Sequence, residues 1–434
     1  MTPSLITIYE DAVEFLDARI GHGIRPGLDR MRALLELMTD PQDTYPSVHV
    51  AGTNGKTTVV WIVEALLEAH GLRTGSYTSP HLERIEDRFR VSGITFDESR
   101  LTAAIADVAP FIEIYEERHG DSVTYFESTV AAAFQAFAAA GVNVAVVEVG
   151  LGGRLDATNT IDGDVSVITG IALDHTAILG ESLGEIAAEK AGILGAGGRL
   201  VTGPLLPGAE GAVTARVAET SASWHRFGSD FGIRSVAKAV GGWSASIDGL
   251  YDDYEDLVLP LHGRHQIDHL ATAVAATEAF FGHGLDLDSV VAALTSVTAP
   301  GRIEIAGRRP LVLIDGAHNV EGMEGLAAAL RDEFPDTHRI LVVGLRGPRD
   351  PAELLRPLRG LVDEVIATEA RDAAVAAEGV AASARTELGV PAHVTVPVAD
   401  AVAEAVERSE DDGAVVVAGS LYVAGEARSS LGAG

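Results

Sequence analysis

The 434-residue chain contains no cysteine. That excludes disulfides and thiolate chemistry, whether catalytic or metal-binding, and leads us to expect a reducing, cytoplasmic setting. Lysine is nearly as scarce. Of the 32 Lys and Arg, only Lys56, Lys190 and Lys238 are lysines and the other 29 are arginines. They face 63 Asp and Glu, for a formal charge of −31. So acidic a chain lacks the basic face that a nucleic-acid backbone or an anionic membrane needs, and neither is expected as a partner. No apolar run approaches the roughly 18 residues of a membrane span. The longest are strand-length pieces such as Val144–Val147, and the N-terminus shows neither a basic leader nor a cleavage site. Many acids and small residues with few lysines suggest a halophile, in which a dense carboxylate shell stays hydrated in concentrated salt. A GC-rich genome would favour arginine over lysine as well. With 47% hydrophobic and 22% charged residues the composition is globular, and the length fits two or three domains.

What is present is an alternation of strands and helices. Two helical pieces occupy 1–46. SVHVAG (47–52) reads as a buried strand, followed by a Gly-rich turn and a helix over 57–70 that Gly71 closes. Thr124 and Glu127 have capping-box spacing at the start of a helix running to 140. Strands at 142–150 and 164–171 and a helix over ESLGEIAAEKAGIL continue the series, which implies right-handed crossovers and a largely parallel sheet. Residues 223–260 read as a small antiparallel β insertion. After the linker TAPGR (298–302) a second series begins, with strands LVLIDG, RILVVGL, DEVIATE, HVTVPV and AVVVAGS. The expected fold class is α/β: a P-loop-type, mostly parallel ATPase domain over 1–298 carrying the antiparallel insertion, and a smaller Rossmann-like α/β domain over 303–434.

The strongest local motif is AGTNGKTT (51–58), set between a strand and a helix. Backbone N–H groups in such a loop, with the helix N-terminus, cradle phosphates. Lys56 adds a point charge there, and the Thr57 or Thr58 hydroxyl can reach phosphate or Mg²⁺. Val50 stands where the full P-loop pattern has its first Gly, so this is a shorter variant. Glu148 ends one strand and His175 follows the next, both at the sheet edge where open α/β proteins bind ligands; together they suit a divalent metal on ATP phosphates. Each also has a bland reading, as a capping anion and a turn residue. Lys190 stands out because a solvated helix position in this chain would normally carry arginine, whereas Lys238 reads as a surface lysine. Asp315-Gly316-Ala317-His318-Asn319 follows a strand of the second series. Arg302, just past the linker Pro-Gly, could swing onto phosphates when the domains close, and Ser420 follows the last strand.

Together these residues resemble the folylpolyglutamate synthase/dihydrofolate synthase family of the Mur ligase superfamily. The resemblance runs over nearly the whole chain: GLDRMRALLELM, HVAGTNGKTT, TSPHLERIEDRFRVSG, TYFE, EVGLGGRLDATN, LDHTAILGESLGEIAAEKAGI, PGRIE, DGAHN and GSLYVAGEAR. It implies ATP-dependent amide formation, in which a substrate carboxylate is phosphorylated and the amine of L-glutamate attacks the acyl phosphate. The acceptor would be dihydropteroate, tetrahydrofolate or both. It further implies that Asn54, Gly55, Lys56, Thr57 and Thr58 bind ATP with Arg302 and Asp315, and that Ser79, Glu148 and His175 hold Mg²⁺. Lys190 would be carbamylated, and Lys56, Lys190 and His318 would be catalytic. Gly27, Leu28, Asp29, Arg30, Thr124, Tyr125, Phe126, Glu127, Asp156 and Ala157 would contact the pterin substrate, and His318 and Ser420 the incoming glutamate. A monovalent cation is a further candidate cofactor, and a monomer is expected. Three departures stand out. Thr57-Thr58 replaces the usual Gly-Ser, as in cell-wall Mur ligases; His269 replaces the nucleotide-contacting Asn of His-Gln-x-x-Asn-Ala; and Val320 replaces the usual Pro. The first departure keeps another Mur-type amino-acid ligase as the alternative, with a silent nucleotide-binding paralogue behind it.

Overall fold

The computed structural model of the chain describes residues 6–432 apart from 24, 335, 348, 372 and 373. Its first sheet has strands β1 (Ser47–Ala51), β2 (Thr74–Tyr77), β3 (Phe89–Val91), β4 (Ile94–Thr95), β5 (Val144–Glu148), β6 (Val165–Ile168), β7 (Arg199–Thr202) and β8 (Ser223–Arg226). Their order is β4-β3-β2-β5-β1-β6-β7-β8, parallel from β2 to β8 with β3 and β4 antiparallel at one edge. The central strands are Val-rich and buried along their whole length, as strands covered on both faces must be. On β5 the faces separate by alternation. Val144 and Val146 pack with helices Lys56–Ala69 and His265–Phe281, while Ala145 and Val147 pack with Glu98–His119 and Tyr125–Ala140.

The antiparallel insertion is β9 (Gly232–Ala239), β10 (Gly242–Asp248) and β11 (Asp253–Leu259), in the order β11-β10-β9. It is shorter than the 223–260 expected. Ser223–Arg226 instead extends the main sheet in parallel with β7, and Trp224 Nε1 donates to Thr202 Oγ1 at 3.0 Å. The second sheet contains β12 (Glu304–Arg308), β13 (Leu311–Ile314), β14 (Arg339–Val343), β15 (Glu364–Ala367), β16 (Ala392–Val394) and β17 (Ala414–Ala418). Its order is β12-β13-β17-β14-β15-β16, all parallel except β12. The architecture agrees with the expected fold class. Among the described residues no helix is long and apolar enough to cross a membrane.

Two features bring the sheets' carboxyl ends together. Strand β1 has parallel neighbours on both sides, and the chain leaves it for β2 beyond β5, so connections diverge around it and open a crevice at its end. Across that crevice, helix Leu421–Leu431 lies directly on the segment after Ser79. A Cβ on Gly425 would stand 1.9 Å from the Leu82 carbonyl oxygen. Arg428 ties Glu83 of the first body to Glu304 of the second, with Nε 3.0 Å from the latter. Lys238, expected at the surface, is exposed but donates to the Asp332 carbonyl at the end of helix Val320–Asp332, where a cation complements the helix dipole.

Candidate active site

The phosphate loop is held from below by the residues after β6. Thr53 N donates to Gly170 O at 2.9 Å, and Thr169 Oγ1 donates to Asn54 O at 2.6 Å. Gly52 and Gly55 have φ of +149° and +79°, and a Cβ on Gly55 would lie 2.2 Å from the His269 ring. The expected nucleotide residue His269 therefore packs on the loop itself, its Nδ1 buried without a partner and its imidazole pushed down to about 3 by burial. Gly55→Ala should cost about 1–3 kcal/mol of backbone strain and displace His269. A thermal melt read together with ATP-analogue affinity checks this, both falling if the packing is as described.

Lys56 Nζ donates to Thr53 O at 3.1 Å, and Thr57 Oγ1 donates to Glu148 Oε2 at 2.9 Å. Glu148 is buried, and burial pushes its carboxyl up against the opposing pull of Lys56. Burial likewise pushes Lys56 down, with Glu148 opposing and Arg302 reinforcing. Arg302 lies in the same cleft and makes no ion pair among the described residues. Ser79 N lies 3.4 Å from Glu148 Oε2, while the Ser79 hydroxyl is buried without a partner. An orphaned hydroxyl beside a buried carboxylate and the Thr57 hydroxyl is a hard-oxygen set of the kind Mg²⁺ takes, completed by phosphate and water. His175, its imidazole pushed down by burial against the opposing pull of Asp174, stands half exposed at the rim. The described residues contain no cluster of three His, Cys, Asp or Glu.

Lys190 is buried on helix Leu183–Ala191 and donates to Gly52 O at 2.7 Å. Burial, then the charge of Lys56, lowers its ammonium to about 7. The second body supplies Asp315, which accepts from Ile303 N and Ala317 N, both at 2.8 Å, and thereby pins the linker residue that follows Arg302. His318 Nδ1 meets Gly316 O at 2.8 Å. All of these residues line one cleft.

Ser420 does not line it. Its hydroxyl is buried and accepts from Val423 N as the N-cap of helix Leu421–Leu431. The residues matched to pterin contacts gather beside the cleft. Arg30 Nε donates to both Glu127 oxygens at 2.9 and 3.1 Å, Thr124 and Glu127 form the capping box, and Gly27 N donates to Leu155 O. Asp156, buried just before Ala157, accepts from Leu151 N, Thr158 N and Thr158 Oγ1, which orders the EVGLGGRLDATN loop. Tyr125 and Phe126 begin the capped helix, and the Phe126 ring fills the space a side chain on Gly150 would need. Leu28 and Asp29 open helix Asp29–Leu37.

Sequence reasoning missed three parts of the site. Asp174 accepts from Asn319 Nδ2 at 3.0 Å and Arg349 Nη2 at 3.2 Å, with His318 Nε2 at 3.5 Å. Asn54 and Asn319 exchange amide hydrogen bonds at 3.2 and 3.0 Å, so the phosphate loop itself is pinned to the second body. Arg88 is buried, its guanidinium meets the His81 ring, the Tyr77 hydroxyl and the Tyr125 face, and it has no carboxylate partner among the described residues. A buried guanidinium without a carboxylate is costly unless an anion arrives. No sequence signal separates Arg88 from the charged residues around it in HLERIEDRFR.

These features define a two-body α/β P-loop protein whose second body closes on the phosphate loop. A model of the Mur ligase middle domain matches residues 50–201, and one described as "Mur ligase, glutamate ligase domain" matches 301–421. The chain is 37% identical to the dihydrofolate synthase/folylpolyglutamate synthase of Mycobacterium tuberculosis, over 94% of this chain and 91% of that one. A crystal structure of M. tuberculosis folylpolyglutamate synthase complexed with ADP and AMPPCP superposes with a TM-score of 0.93 at 36% identity, covering 98% and 99% of the two chains. E. coli FolC in complex with DHPP and ADP gives 0.88 at 30% identity over 100% and 99%. A probable bifunctional folylpolyglutamate synthase/dihydropteroate synthase of Haloferax volcanii is 34% identical over 97% of this chain, which spans 50% of its length. The chain belongs to the folylpolyglutamate synthase/dihydrofolate synthase family of Mur-type ligases, and it is an ATP-dependent ligase.

Proposed function

We propose that the chain joins L-glutamate to the carboxylate of dihydropteroate, of tetrahydrofolate, or of both, at the expense of ATP. The observation that carries this reading is the convergence, in one cleft between the two bodies, of Lys56, the unpaired Arg302, the Thr57–Glu148–Ser79 oxygen set and the loop Asp315–Asn319.

The loop amides, Lys56 and Arg302 bind and orient the phosphates and concentrate positive charge where the transferring phosphoryl group needs it. Thr57, Ser79, Glu148 and His175 would hold Mg²⁺, which when bound neutralises phosphate charge. The γ-phosphorus–oxygen bond to ADP breaks as a bond to the pterin-borne carboxylate forms. The neutral amine of glutamate then attacks the acyl carbon, phosphate leaves with its oxygen, and the amine proton passes to solvent or base. His318, oriented by Gly316 and Asp174, faces the incoming amino acid, and buried Arg88 offers charge to a carboxylate. Arg30, Glu127 and Asp156 keep the pterin wall ordered. Lys190 acts as its carbamate, orienting a metal or phosphate. The reading includes a monovalent cation beside the phosphates, a functional division at 1–298 and 303–434, a single-chain functional unit and a cytoplasmic setting.

The test is ADP release by purified protein in high KCl with L-glutamate and dihydropteroate, tetrahydrofolate or a cell-wall precursor as acceptor. We expect turnover with one or both pterins and none with the precursor. Turnover with the precursor alone would instead favour the Mur-type reading that Thr57-Thr58 suggests.

A further inference from the structure

In a chain with 63 acids against 32 bases, an arginine without an acid partner is informative. Among the described arginines that are buried or half-buried, only Arg88, Arg100, Arg302 and Arg346 have no ion pair with a described residue. Arg100 lies over Phe96 on the outer helix Glu98–His119, away from the cleft. Arg302 belongs to the phosphate side. The remaining two come one from each body, Arg88 beside the segment after Ser79 and Arg346 against helix Leu421–Leu431.

Arg346 follows β14, and its guanidinium carbon stands over the Tyr422 ring, 3.8 Å from the centroid. Stacking uses the face of a guanidinium and leaves the in-plane N–H fork free to donate. Arg346 makes no side-chain hydrogen bond among the described residues, so that fork is unspent. Its backbone is fixed by a bridge to Ala374. From the first body, Arg88 donates through Nε to the ring of His81 at 3.1 Å, next to Leu82. Tyr422 opens the same helix, Leu421–Leu431, that rests on the segment after Ser79. Two guanidiniums without an ion pair among the described residues, one from each body, thus lie at the contact between helix Leu421–Leu431 and the segment after Ser79.

We propose that Arg346 is a specificity-determining residue that binds one carboxylate of the incoming amino acid while Arg88 binds the other, so the pair selects a dicarboxylate. This rests on the glutamate-ligase reading above. An amino acid that reacts through its amine keeps both carboxylates charged, and two cations at fixed separation recognise that pair better than either alone. Discrimination follows from what a monocarboxylate leaves behind, since an analogue with an amide or methyl end strands one desolvated guanidinium. The site forms only when both bodies are together, so amino-acid binding also favours closure.

The experiment is calorimetric titration of L-glutamate and L-glutamine into protein preloaded with Mg²⁺ and AMPPCP, comparing the natural chain with Arg346→Met. We expect glutamate affinity to fall at least tenfold in the variant, preference for glutamate over glutamine to collapse, and AMPPCP affinity to stay unchanged. A packing defect would weaken both amino acids alike, and Arg346→Lys should restore part of the preference. Equal glutamate affinity in both proteins, no glutamate binding to the natural chain, or preserved preference in Arg346→Met would each overturn the proposal. The pterin-dependent ADP assay is scored separately: its failure removes the folate reading, whereas normal turnover with an unchanged glutamate KM in Arg346→Met removes only this one.

Discussion

Replacing Lys190 with methionine or arginine should abolish turnover, with kcat falling on the order of 10³-fold, the range seen when a preorganised electrostatic partner of phosphoryl or acyl transfer is removed. The reason lies in the amine's surroundings. Lys190 is buried, donates to Gly52 O and has its ammonium lowered to about 7. Near neutral pH a large fraction is therefore a free amine, the form that adds CO₂ to give a carbamate with release of a proton. The product carries a negative charge in place of a positive one, which removes the repulsion from Lys56. Arginine stays protonated at any working pH and cannot form this adduct. It would also bury a fixed charge, so Lys190→Met is the cleaner variant, expected to melt within a few degrees of the natural chain. Activity in CO₂-depleted buffer should drop as pH falls below about 7, because the protonated amine does not add CO₂. Carbon-13 NMR with labelled bicarbonate should show a carbamate signal in the natural chain and none in Lys190→Met. Near-normal turnover in either variant would refute the role.

The linkage sign gives a second readout for the uncarbamylated amine. Its folded value is depressed below the ordinary 10.5, so between about 7 and 10.5 the unfolded chain binds more protons than the folded one. Stability from this group therefore rises with pH across that window, opposite to a surface lysine gaining an acid partner.

What could be read from the sequence was local or periodic. The spacing of Thr124 and Glu127 encodes a cap, which the backbone and side chains of that helix form in both directions. The Val-rich runs at β1, β5 and β6 encode burial on two faces, and a Gly-rich turn between strand and helix encodes an anion cradle. Lysine scarcity pointed to Lys56 and Lys190, which lie in one cleft. What could not be read was pairing over long sequence separation. Ser223–Arg226 reads as part of the antiparallel insertion, and it joins the main sheet only through its register on β7. Arg88 sits among other charges, and only burial without an acid partner among the described residues distinguishes it. Asn54 and Asn319 are separated by 265 residues, and neither side chain alone implies the other. Cap residues and strand-end ligand residues occupy the same kind of position, and the Ser420 hydroxyl caps its own helix.

Asp174→Asn should lower kcat/KM by about 10²–10³-fold while leaving the first body folded. Asp174 ends up among groups from both bodies. Burial alone would raise its carboxyl, but hydrogen bonding from His318 and Asn319 and the nearby His175 outweigh it and hold the group well below the usual carboxylate range. Its folded value is depressed, so its stabilising contribution is present above the ordinary value near 4 and is lost only as pH falls below that. The contact is therefore charged throughout the enzyme's working range and acts as a fixed clamp. Asparagine keeps the shape and one acceptor but strands Arg349 and His318 without their counter-charge. Truncating one partner of such a pair costs about 2–5 kcal/mol, which at about 1.36 kcal/mol per decade is roughly 30- to 5,000-fold and brackets the range above. Because Asn319 also holds Asn54, loosening Asp174 should loosen the phosphate loop, and the KM for ATP should rise along with the fall in kcat. A double-mutant cycle with Arg349→Ala separates this from a general packing loss: the two variants should be strongly non-additive. Small-angle scattering with AMPPCP should report a more open particle for Asp174→Asn than for the natural chain. Additive effects with unchanged scattering would mean that closure does not run through this carboxylate.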